Sequence, residues 1–303
     1  MGMKIDYGVQ IEPQFGYTYP EIKEAALAAE KHGFESLWAS DHFMIRPDAL
    51  DVNCLEAWMV LTAVAMDTKK LRVGAMVACQ NYRNPVLHAK MAATLDNISN
   101  GRVYFGVGAG WKEVEYNAYN MPFPPAWKRV RQLDESLTIA RKTWTEPVAD
   151  FKGKYYRVNN CVSMPKPVQD PLPVSVGGMG NQLIKITAKH GDMINLAWNT
   201  SYEKFEERLS VLKKYCVRYG KDYDSIRKSC GLYLALQGAE ASAPGPWEKY
   251  SGEKVWDYVS PEAAAELIRG YVDVGADHFV IVFPYGAEPK SIEVLMKKVA
   301  PLV

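Results

Sequence analysis

The sequence predicts an α/β protein built as a single (β/α)8 barrel, and three observations predict it. Short apolar runs rich in β-formers alternate with longer segments of helical period, the signature of a parallel sheet wrapped by helices. Eight such runs occur, starting near Lys4, Ser36, Leu71, Val103, Pro173, Met193, Cys230 and Asp277. They are continuously apolar rather than alternating, as in Val280-Ile281-Val282-Phe283, which is how strands buried on both faces read. Eight units in 303 residues is about 38 residues each, in the range of a closed barrel.

The elements follow in order. The strand starts are separated by 32, 35, 32, 70, 20, 37 and 47 residues, and most of these gaps suit one loop and one helix. After the first strand, Ile22, Ala25, Ala26 and Ala29 recur at i, i+3, i+4 and i+7, an amphipathic helix. Val130, Leu133, Leu137, Ala140 and Trp144 give the longest helix the same stripe, and Phe205, Leu209, Leu212 and Cys216 give it to a later one. Two long gaps hold insertions. The first, 145–172 after strand 4 and its helix, contains Phe151-Lys152-Gly153-Lys154-Tyr155-Tyr156, which reads as a small hairpin, and then a Pro-rich stretch. The second, 237–259 after strand 7, carries Trp247, Tyr250, Trp256 and Tyr258 without any period, and reads either as a lid or mobile loop or as a surface insertion.

Composition removes several classes of function. Thirty-six Lys and Arg against 35 Asp and Glu leave a net charge of +1, no electrostatic reason to bind nucleic acid or an anionic membrane. The longest nearly apolar stretch, 57–66, is ten residues, whereas a spanning helix needs about 18. Residues 1–10 lack a basic region followed by an apolar run, so no secretory signal is expected. The five cysteines are odd in number and scattered, and read as reduced cytosolic thiols rather than disulfides or a zinc site. No HxxxH or HExxH pattern occurs, and no metal is expected.

In a barrel of this kind, chemistry collects where the strands end. Ser40-Asp41-His42-Phe43 after strand 2 supplies the best acid/base candidate, since a His beside a carboxylate relays protons near neutral pH; a loop-capping role for His42 is the alternative. Gly177-Gly178-Met179-Gly180 lies between a strand and a helical segment, and its backbone NH groups suit a phosphate, although glycine turns also serve packing alone. Gly106-Val107-Gly108-Ala109-Gly110 has its third glycine misplaced for a dinucleotide fingerprint. It is better read as a strand end where a flat ring can lie against the backbone.

Taken together, Gly8-Val9-Gln10-Ile11-Glu12-Pro13-Gln14-Phe15, Ser40-Asp41-His42-Phe43, Tyr82-Arg83-Asn84-Pro85, Gly106-Val107-Gly108-Ala109-Gly110-Trp111, Pro165-Lys166-Pro167-Val168-Gln169, Gly177-Gly178 and Gly275-Ala276-Asp277-His278 resemble the luciferase-like monooxygenase superfamily, in its branch of coenzyme F420-dependent oxidoreductases. The resemblance covers almost the whole chain except 237–259. It implies a TIM barrel that holds a flavin-type ring at its C-terminal mouth, with Asp41 and His42 at the reactive ring. It also implies a non-proline cis peptide at Met76-Val77 behind the ring, Cys79 against the cofactor, Gly108, Ala109 and Gly110 alongside it, and the phosphate turn at Gly177, Gly178, Met179 and Gly180.

Sugar-phosphate dehydrogenases of that branch carry a Trp four residues after the His and a Glu directly after the strand-4 glycines. Arg46 and Trp111 stand there instead, so glucose 6-phosphate oxidation is not expected. An acid role would fall to Glu12, Glu113 or Glu115. Glu12, Arg46 and Trp111 are the candidate substrate-pocket residues. The resemblance leaves two rivals to an F420-dependent oxidoreductase of a small organic substrate. One is an FMN-dependent monooxygenase; the other is a non-catalytic barrel subunit, against which the presence of both Asp41 and His42 argues. It further implies a possible homodimer, and the scattered cysteines set the expected location in the cytoplasm.

Overall fold

The computed structural model describes residues 4–251 and 256–303. Eight parallel strands close into a barrel: β1 (Asp6–Ile11), β2 (Ser36–Ala39), β3 (Arg72–Ala75), β4 (Val103–Gly108), β5 (Val174–Gly177), β6 (Met193–Leu196), β7 (Arg227–Tyr233) and β8 (His278–Val282). Their spatial order is their order in the chain, β8 pairs with β1, and β3 pairs with β4 to seal the ring. Beyond β3, the pair Ala78–Cys79 resumes pairing with the end of β4. Seven strands begin within two residues of the sequence reading. The exception, β7, starts at Arg227 instead of Cys230, because Lys228 and Ser229 are polar yet buried at the foot of the barrel.

The helices pack outside. α1 (Tyr19–His32) is opened by a capping box in which the Glu21 carboxylate accepts from Thr18 N at 2.7 Å, and buries Ile22, Ala25, Ala26 and Ala29. α2 (Ala57–Asp67), α3 (Pro85–Ser99), α4 (Glu113–Ala118), α5 (Ala126–Thr145), α6 (Asn181–His190) and α7 (Tyr202–Tyr219) follow. α5 buries Leu133, Leu137, Ala140 and Trp144 of its apolar stripe. No described helix is long and apolar enough to cross a membrane.

Two layers of core result. Alternate strand residues such as Leu37, Val73, Phe105 and Ile281 face the helices, while Trp38, Tyr104, Met193 and Val280 fill the lumen. Trp38 stacks on Tyr104 with centroids 5.2 Å apart. Glycine is required beside that indole: a Cβ at Gly74 would lie 2.8 Å from Trp38 Cζ3. The lumen is therefore a plugged core, and space opens only above it.

Two additions interrupt the repeat. An antiparallel hairpin (Ala149–Lys152 with Arg157–Cys161) follows α5, and Glu135 ties its turn down by accepting from the backbone NH groups of Lys154, Tyr155 and Tyr156 at 2.7, 2.9 and 3.0 Å. After β7, Ala235–Leu236 pairs in parallel with Tyr258–Val259, and α8 (Pro246–Ser251) lies between them. Of the sequence-predicted loop 237–259, residues 252–255 lie outside the described residues.

Candidate active site

Because every strand runs the same way, all eight C-terminal ends meet at one mouth, and the loops there enclose a cavity of about 1050 Å³. Asp41, His42, Met76, Val77, Cys79, Gly108, Ala109, Gly110, Gly177, Gly178, Glu12, Arg46 and Trp111 all border it. Met179 and Gly180 do not. The Met179 side chain packs against the outer core, and Gly180 is the N-cap residue of α6.

His42 enters from the loop after β2, and its partner is not the neighbouring Asp41. Its Nδ1 lies 2.9 Å from Oε2 of Glu115, a fully buried residue of α4. Burial opposes ionisation of that carboxyl, but the hydrogen bond and charge of His42, the Tyr82 hydroxyl (2.7 Å) and the Lys112 ammonium (3.1 Å) hold it down to about 2. Its other oxygen accepts from the backbone NH groups of Phe43 (2.9 Å) and Met44 (3.2 Å), which clamps the loop that carries His42. An ionised carboxylate only accepts, so Nδ1 carries a proton and Nε2 is left for the cavity. Trp111 stands edge-on to this ring at 5.7 Å.

Asp41 has a different task. Its carboxylate takes a two-pronged ion pair from Arg83, at 2.7 and 3.0 Å, and the backbone NH of Cys79 at 2.9 Å. Arg83 also reaches Glu56. Asp41 is buried, and every contact pins the β3 extension to the start of α3. The sequence pairs Asp41 with His42 by adjacency, whereas in the structure Asp41 is bonded to Arg83 and Cys79 and His42 to Glu115.

The floor of the cavity is built around Val77. The Met76–Val77 peptide is cis, and Gln10 Nε2 donates to the Met76 carbonyl at 3.2 Å. A Cβ on Gly108 would lie 2.6 Å, and one on Gly177 2.7 Å, from a Val77 methyl, so these glycines let the isopropyl group stand between two strand ends. The Gly178 NH is already bonded to the Asn195 carbonyl at 3.2 Å. At the start of α6 no side chain caps the free NH groups. Arg208 of α7 reaches the same turn and donates to Asn181 Oδ1 at 2.8 Å, while its buried Nε has no partner among the described residues. Arg208 also pairs with the adjacent Glu207, so the positive character of this corner comes mainly from the bare NH groups at the start of α6. Cys79 packs with Sγ 2.8 Å from the Tyr116 hydroxyl, and burial pushes its thiol up to about 11, which makes it a packing group rather than a nucleophile.

The candidate substrate residues divide. Glu12 is buried and receives Gln10 Nε2 at 3.0 Å together with Gln14 Nε2. Arg46 is tied to Asp48 and to the Tyr250 carbonyl (3.0 Å) at the exposed rim. Trp111 is 70% exposed at the rim. Glu113 is exposed and lies outside the cavity lining. Sequence reasoning did not single out Lys112, Tyr82, Arg83 or Arg208 as site residues. The Lys112–Glu115 spacing of i, i+3 at the start of a helix, directly after a glycine-rich strand end, is the signal that could have found the pair.

The luciferase-like monooxygenase family model matches residues 2–258. An F420-dependent glucose-6-phosphate dehydrogenase of Amycolatopsis mediterranei is 27% identical, over 99% of this chain and 98% of that protein. Among solved structures, an F420-dependent secondary alcohol dehydrogenase in complex with an F420-acetone adduct superposes with a TM-score of 0.84 at 21% identity, covering 99% of this chain and all of the other. A riboflavin lyase with modified FMN and riboflavin gives 0.82 at 17% identity, over 99% of this chain and 91% of the other. At those identities the superpositions speak to the fold.

Proposed function

The chain belongs to the luciferase-like monooxygenase family, and from that premise we propose that it is a coenzyme F420-dependent oxidoreductase acting on a small organic substrate. One observation carries the reading. A single cavity gathers a glycine-flanked floor, the Gly177-Gly178 turn that leads into α6 and an oriented histidine, in a chain that aligns over 99% of its length with an F420-dependent dehydrogenase.

The residues present fit such a cofactor. A cavity of about 1050 Å³ has room for a tricyclic ring and a substrate beside it. Val77, between Gly108 and Gly177, would back one face of the ring. The uncapped start of α6 with Arg208 would hold the phosphate. When bound, the deazaflavin supplies hydride chemistry, which protein side chains lack. The chain's own part is to orient, exclude water and move a proton. His42 Nε2 gives a proton to, or takes one from, the reacting oxygen of the substrate. Glu115 keeps Nδ1 protonated and balances the imidazolium when it forms, with Tyr82 and Lys112 holding Glu115 ionised. Asp41 and Arg83 keep the floor in place beneath it. We further propose a homodimer that works in the cytoplasm; sedimentation showing only monomer at micromolar concentration contradicts the first part.

Titrating the purified protein with F420 and with FMN tests the reading. Saturable F420 binding, followed by deazaflavin fluorescence and weakened by Arg208→Gln, is the expected result. Tight FMN binding without F420 binding would instead point to the monooxygenase chemistry elsewhere in the family.

A further inference from the structure

Resting on the reading of the floor as a deazaflavin site, we propose that the substrate side of the cavity is built for an uncharged, flat, apolar molecule, an aromatic or fused-ring compound, and not for a sugar phosphate. The first ground is what lines the mouth. Four of the chain's eight tryptophans border this one cavity: Trp111, Trp198, Trp247 and Trp256. They arrive in sets. Phe15 and Trp247 lie with ring centroids 5.8 Å apart on one side, and Trp198, Tyr233 and Trp256 form a chain of contacts at 5.1 and 5.9 Å on the other. Trp111 and Trp247 remain 70% and 40% exposed, ring faces that a flat ligand would cover.

The second ground is charge. The described lining holds two cations besides His42, and both already have protein partners. Lys112 donates to the Met44 and Ile45 carbonyls and pairs with Glu115. Arg46 is held by Asp48 and by the Tyr250 carbonyl. Two carboxylates that have no ion pair among the described residues, Glu12 and Glu248, also border the space; Glu12 is held by two glutamine amides and Glu248 accepts the Gly245 NH. Among the described residues, a phosphate brought here would meet two negative groups and no positive one without a protein partner, at a cost that desolvation increases. The positive corner at α6 and Arg208 does not offset this, because the cofactor's phosphate would occupy it. A neutral ring meets no such penalty and gains by covering the exposed indoles.

Equilibrium binding separates the two classes. The probes are 2-naphthol and glucose 6-phosphate, added to protein loaded with F420 and to protein without it, with tryptophan fluorescence and equilibrium dialysis as readouts. Naphthol is expected to bind at least about tenfold more tightly than the sugar phosphate, and Trp247→Ala to weaken it by about fivefold while Trp247→Phe restores most of the loss. Glucose 6-phosphate binding as tightly as naphthol, or naphthol binding indifferent to Trp247→Ala, overturns the proposal. F420 occupancy is read separately from deazaflavin fluorescence. Its absence would therefore sink the cofactor reading, while the naphthol isotherm on the unloaded protein still decides the substrate class.

Discussion

His42 and His278 occupy opposite ends of the same barrel, and their surroundings differ. At the base, His278 is fully buried, with Nδ1 2.9 Å from the Ser229 hydroxyl and Nε2 3.4 Å from that of Ser36, so both ring nitrogens have protein neighbours. Desolvation, with Arg227 adding to it, holds its pKa well below the ordinary value. At the mouth, among the described residues, His42 gives only Nδ1 to the protein, and it does so to a carboxylate at hydrogen-bond distance, whereas the nearest carboxylate to His278, that of Glu35, stands 3.7 Å from Nε2. The same side chain is a neutral packing element at one end and a proton carrier at the other. Around them the charges follow the same division. At the base Arg227 pairs with Asp6 at 2.9 Å and Glu35 at 3.3 Å, a partly exposed network made of ion pairs between protein groups. At the mouth the network around Glu115 ends on a ring nitrogen that faces a cavity.

Substitutions can break or sharpen this contrast. The largest effect is expected from His42→Ala: F420-dependent turnover falls by about 100-fold or more, while circular dichroism and the melting temperature stay near wild type. Glu115→Gln comes next, with kcat reduced by about tenfold and stability by about 1–3 kcal/mol, because the Lys112 ammonium and two backbone NH groups lose an anionic partner. The pH dependence has a definite sign. A carboxyl held below its unfolded value stabilises the fold above that value and loses the effect as pH falls toward about 2. Denaturant titrations of Glu115→Gln should therefore approach wild type as pH drops from about 4.5.

His278→Gln acts in the other column: kcat per folded molecule is unchanged, and stability at pH 7 falls by about 1–3 kcal/mol through the lost serine contacts. A depressed histidine pKa means that the unfolded chain takes up a proton the native state refuses, so wild-type stability declines as pH falls below about 6.5. The glutamine variant lacks that decline, and its deficit should shrink on acidification. The smallest effect is expected from Gly177→Ala. The new methyl would meet Val77, and its displacement should weaken F420 binding by a few-fold, to roughly tenfold, with little change in unfolding midpoint.

Much of the architecture was legible because strands buried on two faces leave continuous apolar runs and helices leave a 3.6-residue stripe. What escaped was polar residues with partners far away in sequence. Arg227, Lys228 and Ser229 belong to β7, but nothing local says that Asp6, Glu35 and Asp277 will meet them. The site divides in the same way. The strand-end glycines and His42 stood out as motifs. The Glu115 contact spans 73 residues of sequence, and adjacency favoured Asp41, whose partner Arg83 is 42 residues away. The aromatic set at the mouth was visible as Trp247, Tyr250 and Trp256, yet only closure of the barrel brings Trp247 against Phe15.

The contrast between the two histidines reduces to which ring nitrogen of His42 holds the proton in the neutral form. Nitrogen-15 NMR of the imidazole ring, on labelled protein above the titration of that ring, reads this directly. The account predicts the Nδ1–H tautomer, with the signature of an unprotonated Nε2, and its disappearance as the dominant form in Glu115→Gln. A dominant Nε2–H tautomer in the wild-type protein would contradict it, since Glu115 would then not be orienting His42 and the nitrogen facing the cavity would have no lone pair to offer.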